Sequence, residues 1–450
     1  MRHSFKLTLI TLLVALLSAI AFSQPVTITW MVGLGTGGNP EPVDMQDKVV
    51  AEFNASQSDI VLEVIYVTNE VSVATLSTLI ATGEAPDIVG PVGGAGSAAF
   101  AGNFLDLEPL AAAAGYDLGQ FPEKAVDGQR TSEGLIGVPL ASFPAFLYYR
   151  PELFDEAGLE YPPANIGDPY VLDGAEVEWN TDTLLEVAKI LTVDANGNDA
   201  TMDGFDASNV IQWGYTNQWA GGRDSRQIGT MFGPGELVDA NGNAYMPEHW
   251  RTAWHWFYDA IWEHHVYPNA AQEGSDQLAQ GNPFASGNVA MAQSHLWYTC
   301  CLAGDTAWNA AALPSYNGVT TARLHADTFR VLNSTAHPEE AFEVLAYLVG
   351  PASLDLLSVY GGMPAREEDQ AGFFAGLDEQ YPQGVNWDVV SASLAYADAP
   401  SHESPLPNNN QALDRLATFY SLLFSQPDLN VDFEIERFLA DLQTIYDAAP

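Results

Sequence analysis

Positive charge is what this sequence has least of. Only 15 Lys and Arg stand against 58 Asp and Glu, a formal net charge of -43 over 450 residues. Binding to nucleic acid or to an anionic membrane rests on Lys and Arg, so both are excluded as main partners, and a strongly anionic ligand is disfavoured. Cysteine is nearly absent too: the only thiols are the neighbours Cys300 and Cys301, so no disulfide framework staples the fold. The chain also lacks a nucleophile elbow, an HExxH zinc motif and the Lys-Ser/Thr of a P-loop, and nothing in it points to catalysis. Its one long apolar run, Leu7 to Phe22, is shorter than the ~20 residues a spanning helix needs.

What is present suits a folded, exported protein. A 47% hydrophobic and 11% aromatic content is ample for packing, and the length predicts two or three domains, or two lobes sharing their segments. Arg2, His3 and Lys6 precede the apolar run, and Ala21-Phe22-Ser23 supplies the small residues read before cleavage. Residues 1-23 are therefore expected to be a signal peptide, and the mature protein periplasmic or extracellular. No cysteine follows the run, so no lipid anchor is expected. In an oxidising compartment Cys300 and Cys301 are either a strained vicinal disulfide or two free thiols.

Along the chain, Val26 to Trp30 reads as a strand, Asp44 to Asn54 as a helix, Ile60 to Tyr66 as a strand, Val71 to Ala81 as a helix and Ile88-Val89 as a strand. That alternation predicts a parallel α/β unit with ligands collecting beyond the strand ends, at Trp30 and at Gly90 to Ser97. The glycines from Gly33 to Gly38 read as a plain strand-to-helix turn. Leu135 to Leu153 is apolar and β-branched or aromatic, but Pro139 and Pro144 each remove a ladder donor. An interrupted pair of short strands, or a surface strand edged by prolines, is expected there. Asp194, Asn196 and Asn198 have the alternate spacing of calcium ligands, yet turn chemistry explains them equally and the bidentate Glu is missing. Asp239 to Asn243 reads as a turn. Trp250, Trp254, Phe257 and Ile261 form a buried helical stripe, and Glu263-His264-His265 a helix end.

Several blocks, in order, carry a resemblance. They are Ile28-Thr-Trp30, Glu52-Phe-Asn54, Ala81-Thr-Gly-Glu-Ala-Pro-Asp-Ile-Val89 and Phe104-Leu-Asp-Leu-Glu-Pro109, then Gly137-Val-Pro139 with Leu147-Tyr-Tyr149, and a helical pattern over Glu176 to Leu191. Phe284-Ala-Ser-Gly-Asn-Val-Ala-Met291 with Trp297, His337-Pro-Glu-Glu-Ala341 and Gly361-Gly-Met-Pro-Ala-Arg366 follow. Together they resemble the extracellular solute-binding proteins (family 1) of ATP-driven importers, such as the maltodextrin-binding proteins. The resemblance implies an α/β fold of two lobes built from discontinuous segments, the type II periplasmic-binding-protein or Venus-flytrap fold. Residues 24-142 plus 302-360 would form the N-terminal lobe, and residues 143-301 plus 361-450 the C-terminal one. Leu135 to Leu153 becomes the passage between them, a place for bending.

The function so implied is capture of a sugar or oligosaccharide between the lobes and delivery to a membrane permease, by a monomer with no cofactor and no enzymatic activity. A polyol, glycerol phosphodiester or osmolyte is the alternative ligand, and a secreted glycosidase the alternative class. A sugar needs apolar plates for its ring faces and fixed polar groups for its hydroxyls. The plates expected are Trp297, which occupies the family's cleft-tryptophan position, with Trp30, Phe143 and Tyr298. For the hydroxyls the candidates are Gly94 and Ser97, Trp219 with Arg223 and Asp224, and His402, Glu403 and Asn408. An oxidised Cys300-Cys301 pair would add a small apolar plate.

Overall fold

The computed structural model describes residues 24–35, 42–131, 133–302 and 307–448. The expected signal peptide, and the glycine turn beyond Gly35, lie outside the described residues.

The first unit follows its hydrophobic pattern. Strand β1 (Val26–Val32) is followed by helix α1 (Val43–Ser56), strand β2 (Ile60–Tyr66), helix α2 (Asn69–Thr82) and strand β3 (Ile88–Val92). Val49 and Phe53 on one face of α1 pack on the sheet. Helix α2 stops at Gly83, whose φ of 78° is a left-handed cap that glycine adopts at no steric cost. β1 pairs in parallel with β2, from Val26 opposite Ile60 to Val32 opposite Tyr66, and with β3 at Trp30 opposite Ile88. All five residues of β3 are buried, as expected of a strand covered on both faces.

The passage between lobes corrects the sequence reading. Val138–Tyr149 is one uninterrupted strand of twelve residues, β4, central to the sheet. Both prolines fall where a donor is dispensable. Beside Pro139 the register with the antiparallel neighbour slips by one residue, a bulge that leaves Leu140 unpaired on that side. At Pro144 the strand changes partners. Residues Val138 to Pro144 pair with Leu324–Phe329 of one lobe, and Ala145 to Tyr149 pair with Met291–His295 of the other. The Ala145 N–H donates to the Arg323 carbonyl, so by strand alternation the missing Pro144 donor would face the opposite edge. There it meets the gap between the Met363–Pro364 and Val289–His295 strands.

The second lobe contains helix α3 (Thr181–Leu191), strand β5 (Val210–Asn217), helix α4 (Glu248–Trp262) and strand β6 (Val289–His295), with β5 and β6 parallel. The helix expected from Glu176 starts later: Ala175–Val177 is a short strand, and the Asn180 side chain caps α3 by accepting from the N–H groups of Asp182 and Thr183. The α4 stripe of Trp250, Trp254, Phe257 and Ile261 is buried as expected. The chain then returns through strand β7 (Leu324–Val331), helices α5 (Pro338–Val349) and α6 (Ser353–Tyr360), strand β8 (Met363–Pro364) and helix α7 (Gln370–Gln380). It closes with helices α8 (Asn409–Ser425) and α9 (Val431–Asp447). The main sheet runs β2, β1, β3, β7, β4, β6, β5 and a short strand at Val193–Asp194. The two largest hydrophobic cores lie on either side of the β4 handover, and Phe143 packs against both. Among the described residues no single helix is long and apolar enough to cross a membrane; the bent pair α5–α6 supplies Leu345, Leu348 and Leu356 to the first core.

Candidate ligand cleft

A cavity of about 830 Å³ opens where the lobes meet. One wall is the backbone of Gly93, Ala95 and Gly96 after β3, and the floor is Phe143 on β4 with His325 and Asp327 on β7. Opposite stand Trp297, Thr299 and Cys300, on the short helical turn that begins directly after β6. Helix α7 closes one side with Phe373 and Gln380, and Asp224 and Glu403 close the other. Gly372 and Gly376, four residues apart on α7, also line the cavity, and a Cβ at either would meet nothing within 4 Å. The lining therefore combines aromatic faces with three carboxylates and, among the described residues, no Lys or Arg.

Trp297 is held rigidly. Trp219 lies parallel to it, 7° between planes and 5.8 Å between centroids, and the Trp297 indole N–H donates to His325 Nδ1 at 3.1 Å. Trp219 is itself fixed by its indole N–H to the Gly281 carbonyl and is 39% exposed, so it backs the cleft tryptophan instead of lining the cavity. Behind them, His325 Nε2 is 3.1 Å from His402 Nε2, and His402 Nδ1 is 2.7 Å from the buried carboxylate of Asp398. Burial would raise Asp398, but the His402 imidazole, the His402 N–H and the Leu324 N–H together hold it below its ordinary value. Glu403 accepts the Ala95 N–H at 3.2 Å, tying the loop before α8 to the first lobe across the cleft.

The sequence candidates divide on this geometry. Trp297, Phe143, Asp224 and Glu403 line the cleft, and Gly94 lies beside it against Glu403. Trp30 does not: β1 runs two residues further than expected, and the indole, fully buried, donates to the Gly90 carbonyl and packs edge-on against Phe329. Tyr298 is buried in the second core, its hydroxyl donating to Asn282, because successive side chains of the 3-10 turn point about 120° apart and only Trp297 of the two faces the cleft. Ser97 is also buried, its hydroxyl spent on the Gly93 carbonyl. Arg223 turns away to Asn410 and Asp414, and Asn408 lies at the start of α8 with its amide on the Ile445 carbonyl. His402 stands behind the wall rather than in it.

Cys300 and Cys301 are free thiols with sulfurs 2.6 Å apart, outside the ~2.05 Å of a bond. Cys300 is exposed as a residue, but partial desolvation of its sulfur and the Cys301 thiol beside it push the thiol up to about 12. A turn accounts for the calcium-like spacing at Asp194, Asn196 and Asn198. Both oxygens of buried Asp194 are occupied, by the N–H groups of Asn196, Asn198 and Asp206 and by the Asn198 amide, a turn that needs no ion. Asp239 repeats that turn. Cleft residues missed from the sequence are His325, Asp327, Phe373 and Gln380. The signal for α7 was the Gly372 and Gly376 spacing, which leaves one helical face bare.

The sequence profile of bacterial extracellular solute-binding proteins matches residues 39–354. No curated protein sequence matches significantly. Among solved structures, the chain is similar to UspC of M. tuberculosis, at 22% identity and a TM-score of 0.71, covering 93% of this chain and 100% of the other. It is also similar to the ABC substrate-binding protein Lmo0181 from Listeria monocytogenes in complex with cycloalternan, at 19% identity and a TM-score of 0.65, covering 93% and 98%. A third is the maltose/maltodextrin-binding domain MalE from Bdellovibrio bacteriovorus bound to maltotriose, at 16% identity and a TM-score of 0.58, covering 93% and 99%. These likenesses establish the fold as that of the type II periplasmic-binding proteins, and the profile match establishes the family: the chain is a member of the bacterial extracellular solute-binding proteins.

Proposed function

We propose that this chain captures a neutral oligosaccharide between its lobes and delivers it to the membrane permease of an ATP-driven importer. The observation that carries this reading is the lining of the cleft: Trp297, Phe143 and Phe373 offer apolar faces, Asp224, Asp327 and Glu403 bring carboxylates, and no Lys or Arg stands among the described lining residues. Carboxylates accept hydrogen bonds from sugar hydroxyls, and flat aromatic faces suit the C–H side of a pyranose. A glycerol phosphodiester would meet these three carboxylates with no Lys or Arg among the described lining residues, since Arg226 and Arg330 act on Glu403 from behind the wall, and this argues against it as the ligand. At about 830 Å³ the cavity is in the upper part of the usual range for small-molecule sites, with room for several rings instead of a short polyol.

Export by a signal peptide over residues 1-23, a monomeric state and lobe boundaries near residues 142, 301 and 360 belong to the same proposal. The handover of β4 at Pro144 supports the first boundary. Binding closes the lobes by favouring the closed state. The family supports binding over catalysis. The test is incubation with maltotriose and with cycloalternan, the sugars seen in relatives of this fold. Stoichiometric retention of intact sugar supports the reading, and released product would overturn it in favour of a glycosidase using the cleft carboxylates.

A further inference from the structure

We propose that His325, His402 and Asp398 form a directional hydrogen-bond chain that positions the Trp297 indole, and that one added proton uncouples it and weakens ligand binding. The effect on binding rests on the reading of Trp297 as a sugar plate.

The chain's direction is dictated by its ends. An indole N–H can only donate, so His325 Nδ1, 3.1 Å away, must carry the acceptor lone pair. Neutral His325 then bears its proton on Nε2 and donates to His402 Nε2 at 3.1 Å. His402 in turn bears its proton on Nδ1 and donates to Asp398, a carboxylate that can only accept. Every contact is satisfied only when both imidazoles are neutral and in these tautomers. A second proton on either ring sets one donor against another, and the half-buried indole loses the acceptor that helps to fix it.

Three histidine ring nitrogens, from His295, His325 and His402, lie within 4.8 Å of one another, which raises a metal reading. The ring geometry argues against it. His295 lies face to face on His325, 3.7 Å between centroids and 14° between planes. Their in-plane lone pairs run side by side and do not converge on an ion held at about 2.0–2.1 Å.

The surroundings of His325 set when the proton arrives. Glu403, 3.9 Å away, and Asp224 favour its charge; His402 on the loop before α8 and Arg323, the residue before β7, oppose it; the His295 ring at the end of β6 lies face to face on it, and Asp398 stands beyond His402. Burial is the largest influence and keeps His325 below its ordinary value, so His325 is neutral at neutral pH and takes up its proton only on acidification.

The test is ¹⁵N NMR of the full mature chain between pH 8 and pH 5, with the Trp297 indole signal identified by its loss in Trp297→Phe. His325 should be the Nε2–H tautomer and His402 the Nδ1–H tautomer at pH 8, and the Trp297 signal should move in step with the His325 titration. In His325→Asn the amide oxygen can replace the Nδ1 acceptor but cannot titrate. Maltotriose or cycloalternan affinity should fall about tenfold over this range in the parent, the worth of one hydrogen bond, and stay flat in His325→Asn. The opposite tautomers, an indole signal indifferent to His325, or the same pH dependence in His325→Asn would overturn the proposal. An indole that titrates as described in a protein that binds neither sugar would refute the sugar reading and leave the chain standing.

Discussion

Trp30 and Trp297 both sit near the end of a strand, yet one is core and the other cleft wall. The difference is the direction of the side chain relative to the sheet, which a sequence without a fixed strand end does not reveal. Replacing Trp30 with Ala is expected to cost about 3–5 kcal/mol of stability through the cavity left behind, measured by denaturant unfolding. Trp297→Ala should instead lower oligosaccharide affinity at least tenfold by titration calorimetry while changing the unfolding midpoint little. His295 gives a residue-scale prediction with a sign. Burial, reinforced by the Arg323 guanidinium and by any proton on His325 or His402, holds it well below its ordinary 6.5, so on acidification the unfolded chain takes a proton that the folded one refuses. Its contribution is complete above pH 6.5 and is lost as pH falls below that value, by at most about 1.4 kcal/mol per pH unit. The stability of His295→Phe relative to the parent should therefore be greater at pH 5 than at pH 8. The histidines themselves were invisible as a group: His295, His325 and His402 are spread over a hundred residues and meet only because β6, β7 and the loop before α8 converge.

Among the elements, β4 shows most plainly what periodicity and proline rules can and cannot decide. Two prolines in a dozen apolar residues argue against a central strand only if every backbone donor needs a partner. In this strand one proline sits at a register slip and the other at a change of neighbours. The place of the interlobe passage was legible in the sequence, because apolar runs with misplaced prolines mark a local exception; its continuity was not, because pairing partners lie more than a hundred residues away. The α/β unit from β1 to β3 was legible throughout, since each of its elements carries its own local pattern. Helix α7 was overlooked, its glycines weakening the helical signal. Those glycines make it testable. Gly376→Leu points a side chain into open cleft and removes a helix-destabilising glycine, so oligosaccharide affinity should fall at least tenfold with the unfolding midpoint unchanged or raised. A variant that binds as the parent does would place the ligand elsewhere.

For the molecule as a whole, the excess of acid is a property of the surface as well as of the cleft. With 58 acidic side chains against 15 basic ones, self-repulsion opposes the compact state, and salt screens it over a Debye length of about 10 Å at 0.1 M. The thermal midpoint should rise between 0.05 and about 0.5 M sodium chloride; a midpoint that falls would mean that ion pairs outweigh repulsion. The cleft lining shares this sign of charge, which the proposed function reads as selectivity for a neutral ligand. The most direct test of that claim is calorimetric titration at pH 7.5 with maltotriose, cycloalternan and a glycerol phosphodiester in parallel. The cleft described here predicts one-to-one binding of a neutral sugar, abolished by Trp297→Ala, and no heat from the phosphodiester. Saturable binding of the phosphodiester, with neither sugar bound, would contradict it.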